Sequence, residues 1–303
     1  MTGGRPSTVK FAAAFAAIYV IWGSTYLAIR YAIETVPPFF MASVRFLLAG
    51  SILYGWSRMQ GAKHRSAADW RRAFTVGALL LFGGNGGVVI AEQWVPSGLT
   101  ALLIATVPLW VAVLGWLQPG GKRPSAQVSF GIMLGLIGVA MLIGIGNLRA
   151  SGTIDPAGAG ILILASLSWA AGTVYGKKTH FSDSPIQASG MQMLGGGICL
   201  GLASLIRGEA AGFDPQLVSL RSLLAVLYLV IFGAIIAFTA YSWLLKVTTP
   251  SRVATYAYIN PAIAVLLGWT IAGEQLTPRI IVAMLVIVAA VMVITIEPKW
   301  GSE

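Results

Sequence analysis

The stretch Ser251–Trp269 reads SRVATYAYINPAIAVLLGW, an apolar run of membrane-spanning length that Asn260-Pro261 interrupts near its middle. A second stretch, Pro96–Trp116, reads PSGLTALLIATVPLWVAVLGW and carries Pro108 at the corresponding place. A proline inside a helix removes one backbone hydrogen bond. In hydrocarbon, a freed carbonyl persists only where it faces protein or a water-filled cavity. This pair of interrupted spans predicts a binding site at mid-membrane, between two halves of the chain.

The composition is that of an integral membrane protein. Of the 303 residues, 57% are hydrophobic and only 10% are charged, and the mean hydropathy is +0.81, whereas soluble domains carry about 25% charge. We therefore expect an all-α integral membrane protein with ten transmembrane helices of about 20 residues each. The predicted spans are about 11–32, 38–57, 73–93, 98–117, 127–146, 157–177, 185–206, 222–245, 251–272 and 279–296.

The distribution of Lys and Arg predicts the orientation. With the N-terminus inside, fourteen of the 20 Lys and Arg residues fall on the inner side and five on the outer side, and Arg45 lies within a span. The positive-inside rule then places both termini in the cytoplasm. We expect the chain to lie in the inner membrane of a bacterium. The net charge of +10 reflects these inner loops, so we expect no nucleic-acid partner. Residues 301–303 resemble the start of a protease-site linker and are set aside.

The chain contains an internal repeat. Trp22 is followed eight residues later by Arg30, and Trp169 is followed eight residues later by Lys177. The predicted repeats occupy residues 1–147 and 156–297. Each would hold five spans, an odd number, so the second copy would enter the bilayer from the opposite side. This is the inverted-repeat architecture of alternating-access carriers, with a central cavity between the copies.

The chain resembles the EamA-type carriers of the drug/metabolite transporter superfamily. The motifs concerned are Trp22-Gly23, RFLLAG at 45–50, Pro108, the glycines of 131–138, and GEQLT at 273–277. Asn85-Gly86 and Ala91-Glu92 before VPSG at 95–98 are similar to the YedA branch. The resemblance implies a ten-helix basket with a central cavity, and export of amino acids or related small metabolites. The first copy departs from the family at Gly120-Gly121-Lys122-Arg123, where Gly-Glu is common, so that loop is not expected to mirror its partner.

Polar and aromatic residues in mid-span are the candidates for substrate contact. A tryptophan far from the membrane interfaces needs an acceptor for its indole N–H, and it either packs between helices or lines the cavity. A mid-span asparagine either bonds across helices or contacts substrate. Tyr256 and Asn260 are four residues apart, so they share one helical face. The candidate substrate-binding residues are Trp22, Asn85, Thr106, Trp169, Tyr241, Tyr256 and Asn260.

Charged residues and prolines within the spans are the candidates for gating. Arg45 is expected to form a structural or gating ion pair with Glu92 or Glu34, since an intramembrane arginine normally marks a pair or a pathway. The alternative for Arg45 is contact with a substrate carboxylate, and the alternative for Glu92 is proton coupling. Pro108 and Pro261 would let helix halves tilt.

The chain lacks the motifs of an enzyme. Gly172–Thr179 resembles a phosphate loop but is one residue short, and no hydrolase or zinc-protease motif occurs. We expect no catalytic residue, metal or cofactor. The predicted function is a secondary transporter that exports amino acids or related metabolites by alternating access, driven by the substrate gradient or by protons. The alternatives are a carrier for uptake of carboxylates or other metabolites, and a channel or non-transporting membrane protein.

Overall fold

The computed structural model describes residues 8–119, 123–143, 155–179, 182, 184–209, 211–248, 253 and 255–295. Residues 301–303, which the sequence assigns to a linker, lie outside these ranges. The described residues fold into helices that we number α1 to α10. They are α1 Thr8–Ala32, α2 Pro38–Met59, α3 Ala67–Ala91, α4 Ser97–Leu117, α5 Ala126–Ile143, α6 Pro156–Lys178, α7 Pro185–Ile206, α8 Leu220–Val247, α9 Tyr256–Ala272 and α10 Pro278–Thr295.

Several helices begin at residues that suit a helix start. Proline occupies the first position of α2, α6 and α7. A backbone N–H at that position makes no hydrogen bond within the helix, so its absence in proline costs nothing. Asp155 caps α6 by accepting from Gly158 N at 2.8 Å. Ser66 and Asp69 form a reciprocal capping box at the start of α3. Local sequence therefore determines these boundaries.

Seven helices are long and apolar enough to cross a membrane, by length and composition: α1, α2, α3, α4, α6, α7 and the Leu220–Tyr241 part of α8. Apolar stretches in α5, α9 and α10 are shorter within the described residues. Large apolar side chains such as Leu48, Phe130, Leu164 and Leu285 point outward, as expected of a surface solvated by lipid. The prediction of an all-α membrane protein is confirmed, while the crossing of all ten helices stays a prediction.

Most packed pairs of helices are kept when each helix is exchanged for the one five places away; the pairs α1 with α4 and α4 with α10 are exceptions. Helix α1 packs on α8 and α9, and α6 packs on α3 and α4 in the same way. Helix α3 packs on α7 as α8 packs on α2. The pairs α2 with α7, α4 with α9 and α5 with α10 map onto themselves. Packing of this kind is what two copies of one unit produce.

Glycines bring the paired helices close together. A Cβ at Gly197 of α7 would lie 3.0 Å from Leu47 Cδ2 of α2, and one at Gly138 of α5 would lie 2.6 Å from Ile287 Cγ1 of α10. A Cβ at Gly77 of α3 would overlap the backbone carbonyl of Gln192 in α7. Small residues at such crossings let backbones approach closely.

Helices α3 and α8 contain a wide, π-helical segment at equivalent places. These segments are Ala78–Asn85 and Leu229–Ile236, each eight residues long. In a π-helix the hydrogen bonds run to the fifth preceding residue, and such segments are frequently found at functional sites. No feature of the sequence predicted them.

The two prolines do not break their helices alike. Helix α4 is interrupted at Ala105-Thr106, directly before Val107-Pro108, whereas α9 runs from Tyr256 to Ala272 with Pro261 inside it. The expectation of a break at both prolines is therefore correct for Pro108 and wrong for Pro261. Pro261 is the sixth residue of α9, beyond the first turn, so it removes the backbone bond to Ala257 O but does not end the helix.

The helices end on two opposite faces. We call the face on which α1, α3, α7 and α9 end the Glu274 face, and the face on which α2 and α6 end the Lys63 face. On the Glu274 face, Ser222 Oγ of α8 donates to Tyr31 O at 2.7 Å. On the Lys63 face, Gln187 Nε2 of α7 donates to Lys63 O at 2.9 Å. On each face, a hydrogen bond thus joins the first half of the chain to the second.

Candidate functional site

Four of the predicted site residues lie together on α1, α8 and α9. The Trp22 ring lies 5.3 Å from that of Tyr241 and 5.0 Å from that of Tyr256, between ring centroids. The fourth, Asn260, follows Tyr256 by one turn of α9 and is buried. We call these residues (Trp22, Tyr241, Tyr256 and Asn260) the aromatic half-site. They offer ring faces and one amide, a surface suited to a partly apolar small molecule.

The amide of Asn260 ties α9 to α1. The orientation of the amide is assigned from its hydrogen bonds: Nδ2 donates to Tyr19 O at 3.1 Å and to Tyr256 O at 3.2 Å. Beside it, the hydroxyls of Tyr19 and Thr255 are 2.5 Å apart. Asn260 therefore has a structural role in this conformation, with its nitrogen engaged by backbone carbonyls.

The other three predicted substrate residues lie on α3, α4 and α6. Trp169 packs against Gly84, where a Cβ would lie 2.6 Å from Trp169 Cε3. Asn85 ends the π-helical segment of α3, is half-buried, and makes no side-chain hydrogen bond with the described residues. We call Asn85, Thr106 and Trp169 the second half-site. Its helices are the repeat counterparts of those that carry the aromatic half-site, so the structure divides the predicted residues into two corresponding groups.

The two π-helical segments are each held by a side chain from the neighbouring repeat. Trp22 Nε1 of α1 donates to Gly233 O of α8 at 3.1 Å. Ser168 Oγ of α6 donates to Leu79 O of α3 at 2.8 Å. Since α1 and α6 are counterparts, as are α8 and α3, the same kind of contact occurs twice. The predicted acceptor for the indole of Trp22 is thus a carbonyl within a π-helical segment.

Thr106 is buried at the interruption of α4, and its hydroxyl is already engaged. Thr106 Oγ1 donates to Leu103 O at 2.6 Å, and Ser166 Oγ of α6 donates to the same oxygen at 3.3 Å. These bonds satisfy a carbonyl at the end of the first helical segment. The hydroxyl therefore stabilises the interruption of α4, which the sequence attributed to Pro108 alone.

The expected ion pair of Arg45 with Glu92 or Glu34 is not formed. Glu34 instead lies 3.5 Å from Arg221. Arg45 and Glu92 are each 5% exposed, and Arg45 Nε and both Glu92 oxygens lack hydrogen-bond partners among the described residues. Arg45 lies against α8, since a Cβ at Gly233 would be 3.3 Å from its Nη2. The prediction of a direct pair is wrong because the arginine turns toward α8 while Glu92 follows the end of α3.

A carboxylate that the sequence analysis did not select organises the Glu274 face. Glu274 accepts from Arg30 Nη1 at 2.5 Å, from Ser97 N and Ser97 Oγ at 2.7 Å each, and from Gly98 N at 3.0 Å. Its side chain is 7% exposed. We call Arg30, Ser97, Gly98 and Glu274 the Glu274 clasp. A carboxylate at a helix N-terminus is favourable because it meets free N–H groups and the positive end of the helix dipole.

The clasp joins three separate parts of the chain. Arg30 is on α1, Ser97 and Gly98 start α4, and Glu274 follows α9 in a turn at Gly273, where φ is +65°. A conformation of that kind favours glycine. The motif GEQLT begins with Gly273 and Glu274. Nothing in the sequence showed that the Glu274 carboxylate would bind Arg30, 244 positions away.

Apolar outer surfaces around corresponding polar and aromatic half-sites are features of multi-pass membrane carriers. Comparison with known proteins agrees: the profile of the EamA-like transporter family matches residues 10–144 and again 156–296. The chain belongs to the EamA-like transporter family, and the resemblance inferred from its motifs is confirmed.

Known relatives cover nearly the whole chain. The inner membrane transporter YedA of Escherichia coli K12, itself named as uncharacterized, is 42% identical over 287 residues, which cover 94% of this chain and 90% of that protein. Protein PecM of Dickeya dadantii is 26% identical over 280 residues, 90% of this chain and 88% of that protein. A solved crystal structure with 19% identity superposes with a TM-score of 0.62 and covers 94% of this chain and 96% of that one, which shows the fold alone. The chain is thus a membrane transporter of the EamA-like family with several candidate spanning helices.

Proposed function

We propose that the chain is a secondary transporter that exports amino acids or related small metabolites across the bacterial inner membrane by alternating access. The observation that carries the proposal is the correspondence of the two half-sites. Each lies on three helices that exchange under the repeat, and each adjoins a π-helical segment held from the opposite repeat. Two equivalent arrangements of one unit give a carrier two conformations of similar free energy, which alternating access requires.

The proposal includes two inverted repeats, within 1–147 and 156–297, ten membrane crossings, and cytoplasmic termini. The double family match and the exchange of packing partners support the repeats. The excess of Lys and Arg on the Lys63 face supports the orientation. Fusion of a reporter that is active only outside the cytoplasm, placed after Gly208 and separately after Gly61, tests it. Activity at Gly208 alone is expected, and activity at Gly61 alone would reverse the orientation.

Transport itself is tested in liposomes that contain the purified protein. A radiolabelled mixture of proteinogenic amino acids should exchange against an unlabelled internal mixture, and its flux should saturate. Flux that rises linearly without saturation would instead indicate a channel, and exchange of carboxylates without amino acids would indicate the alternative carrier class. Accumulation in everted vesicles but not in right-side-out vesicles would establish export.

The role of the half-sites is tested with conservative variants. Trp169→Phe keeps an aromatic ring against Gly84 but reduces its size, and we expect it to lower exchange by about tenfold, the effect of about 1.4 kcal/mol. Trp116→Phe is the matched control, because Trp116 is exposed at the end of α4. Equal exchange by the two variants would remove the second half-site from the transport pathway.

A further inference from the structure

A basic and an acidic side chain are buried near each other without forming an ion pair: Arg45, whose guanidinium lies 4.8 Å from the centroid of the Phe46 ring, and Glu92, whose two carboxyl oxygens have no hydrogen-bond partner among the described residues. Arg45 and Glu92 are each 5% exposed. No nitrogen of Arg45 lies within 4.0 Å of a carboxylate oxygen of Glu92, although the two groups interact electrostatically. An isolated buried charge costs several kcal/mol. The structure therefore holds one basic and one acidic side chain that interact electrostatically but form no direct bond.

The other groups that interact with Glu92 offer it no free cation. Glu92 interacts with Arg30 and Glu274, but these two are bonded to each other in the Glu274 clasp. Tyr26 of α1 also interacts with Glu92 and carries no charge to offset it. The side of α6 that packs against the end of α3 is apolar, with Ala159, Leu162 and Ala165 buried there. Arg45 is the charged group near Glu92 that makes no other ion pair.

The two charges lie beside the aromatic half-site. Arg45 Nη2 lies against Gly233, and the carbonyl of the same glycine accepts from Trp22. Tyr26, which interacts with Glu92, follows Trp22 by one turn on the same face of α1. A small molecule held between the two charges would therefore meet aromatic rings at Trp22.

We propose that Arg45 and Glu92 bind the two ends of a zwitterionic α-amino acid, its carboxylate at the Arg45 guanidinium and its ammonium at the Glu92 carboxylate. The inference rests on the proposed function and deepens it by assigning the charged groups of the substrate. The planar guanidinium donates two parallel hydrogen bonds to a carboxylate. A zwitterion satisfies both buried charges at once, whereas an amine or an acid alone leaves one charge unpaired.

The first test uses the unaltered protein in lipid nanodiscs and three ligands with one shared side chain. They are L-phenylalanine, phenethylamine, which lacks the carboxylate, and 3-phenylpropanoate, which lacks the ammonium. An aromatic side chain is chosen because rings surround Trp22. We expect calorimetry to show L-phenylalanine binding about ten- to a hundredfold more tightly than either analogue, the effect of losing one bond to a charged group. An analogue that binds as tightly as L-phenylalanine would overturn the proposal.

The second test removes one protein charge at a time. Arg45→Gln should weaken L-phenylalanine binding by about ten- to a hundredfold and leave phenethylamine binding unchanged. Glu92→Gln should weaken L-phenylalanine equally and leave 3-phenylpropanoate unchanged. Arg221→Gln and Glu34→Gln are matched controls, since this exposed pair lies on the Glu274 face, and both should bind as the parent does.

The outcomes separate this inference from the proposed function. If the parent protein binds L-phenylalanine but the Arg45 and Glu92 variants bind it equally well, the zwitterion site is wrong and amino-acid transport stands. If Glu92→Gln binds normally and loses only accumulation driven by a pH gradient, Glu92 is a proton site and the proposal is likewise overturned. If the parent binds no amino acid of a proteinogenic mixture, both proposals fail. The ligand series on the parent decides the matter even where a variant does not fold.

Discussion

Replacing Glu274 by alanine should open the Glu274 face of the transporter. The carboxylate accepts four hydrogen bonds from Arg30, Ser97 and Gly98, and its side chain is 7% exposed. Losing one partner of a buried ion pair costs about 3–5 kcal/mol. The Arg30 side chain is 37% exposed, so water compensates part of the loss. We therefore expect the closed arrangement to lose about 2–3 kcal/mol, a factor of about 30–150 in its population relative to the open one.

Alkylation of a cysteine at position 99 measures this opening. Leu99 is buried beside Glu274, in a small cleft that Pro96 and Trp269 also line. In a Leu99→Cys, Cys199→Ser background, a membrane-impermeant maleimide should react about 30–150 times faster after Glu274→Ala. The reagent should act on intact cells if the Glu274 face is outside, as proposed.

Two further variants make the measurement specific to the clasp. Arg221→Gln removes an exposed pair on the same face, whose side chains are 54% and 38% exposed, and such pairs contribute about 0–1 kcal/mol. It should leave the alkylation rate unchanged. Arg30→Gln should add little to Glu274→Ala, because the two residues share one interaction. An alkylation rate after Glu274→Ala equal to that after Arg221→Gln would refute the clasp as a closure.

Further predictions concern packing and the π-helical segments. Gly77→Ala should destabilise the protein by about 1–3 kcal/mol, because the added methyl overlaps the backbone of Gln192. Gly160→Ala is the control and should leave stability unchanged, since a Cβ there has open space around it. Thermal unfolding in detergent compares the two variants. Trp22→Phe removes the bond to Gly233 O and should lower stability by about 1 kcal/mol. A Trp22→Phe protein that unfolds at the parent temperature would show that this bond is not stabilising.

The membrane class of this protein and its family follow from local sequence. Hydropathy over about 20 residues identifies a spanning helix because each helix satisfies its own backbone hydrogen bonds within the segment. The prolines, the repeated tryptophans and the glycine spacings recur in order along the chain, so the repeat and the family could be read without coordinates. The grouping of Tyr256 with Asn260 followed from helical periodicity alone.

Ion pairing was not predictable in the same way. Arg45 suggested an ion pair because an arginine inside a span normally has a partner, and Glu34 and Glu92 lie near the outer ends of predicted spans. Long charged side chains on one face have several partners within reach, and the free energies of these choices differ by small amounts that depend on packing. The structure pairs Glu34 with Arg221 and Glu274 with Arg30.

Sequence alone therefore determined that this chain is helical, membrane-embedded and duplicated, because those properties depend on composition and on spacings within single segments. Tertiary structure decided which carbonyls the π-helical segments offer to Trp22 and Ser168, which cation Glu274 binds, and that Arg45 and Glu92 are left without a direct bond. Each of these depends on contacts between residues far apart in the chain. Such contacts form only when the helices of both repeats have packed together.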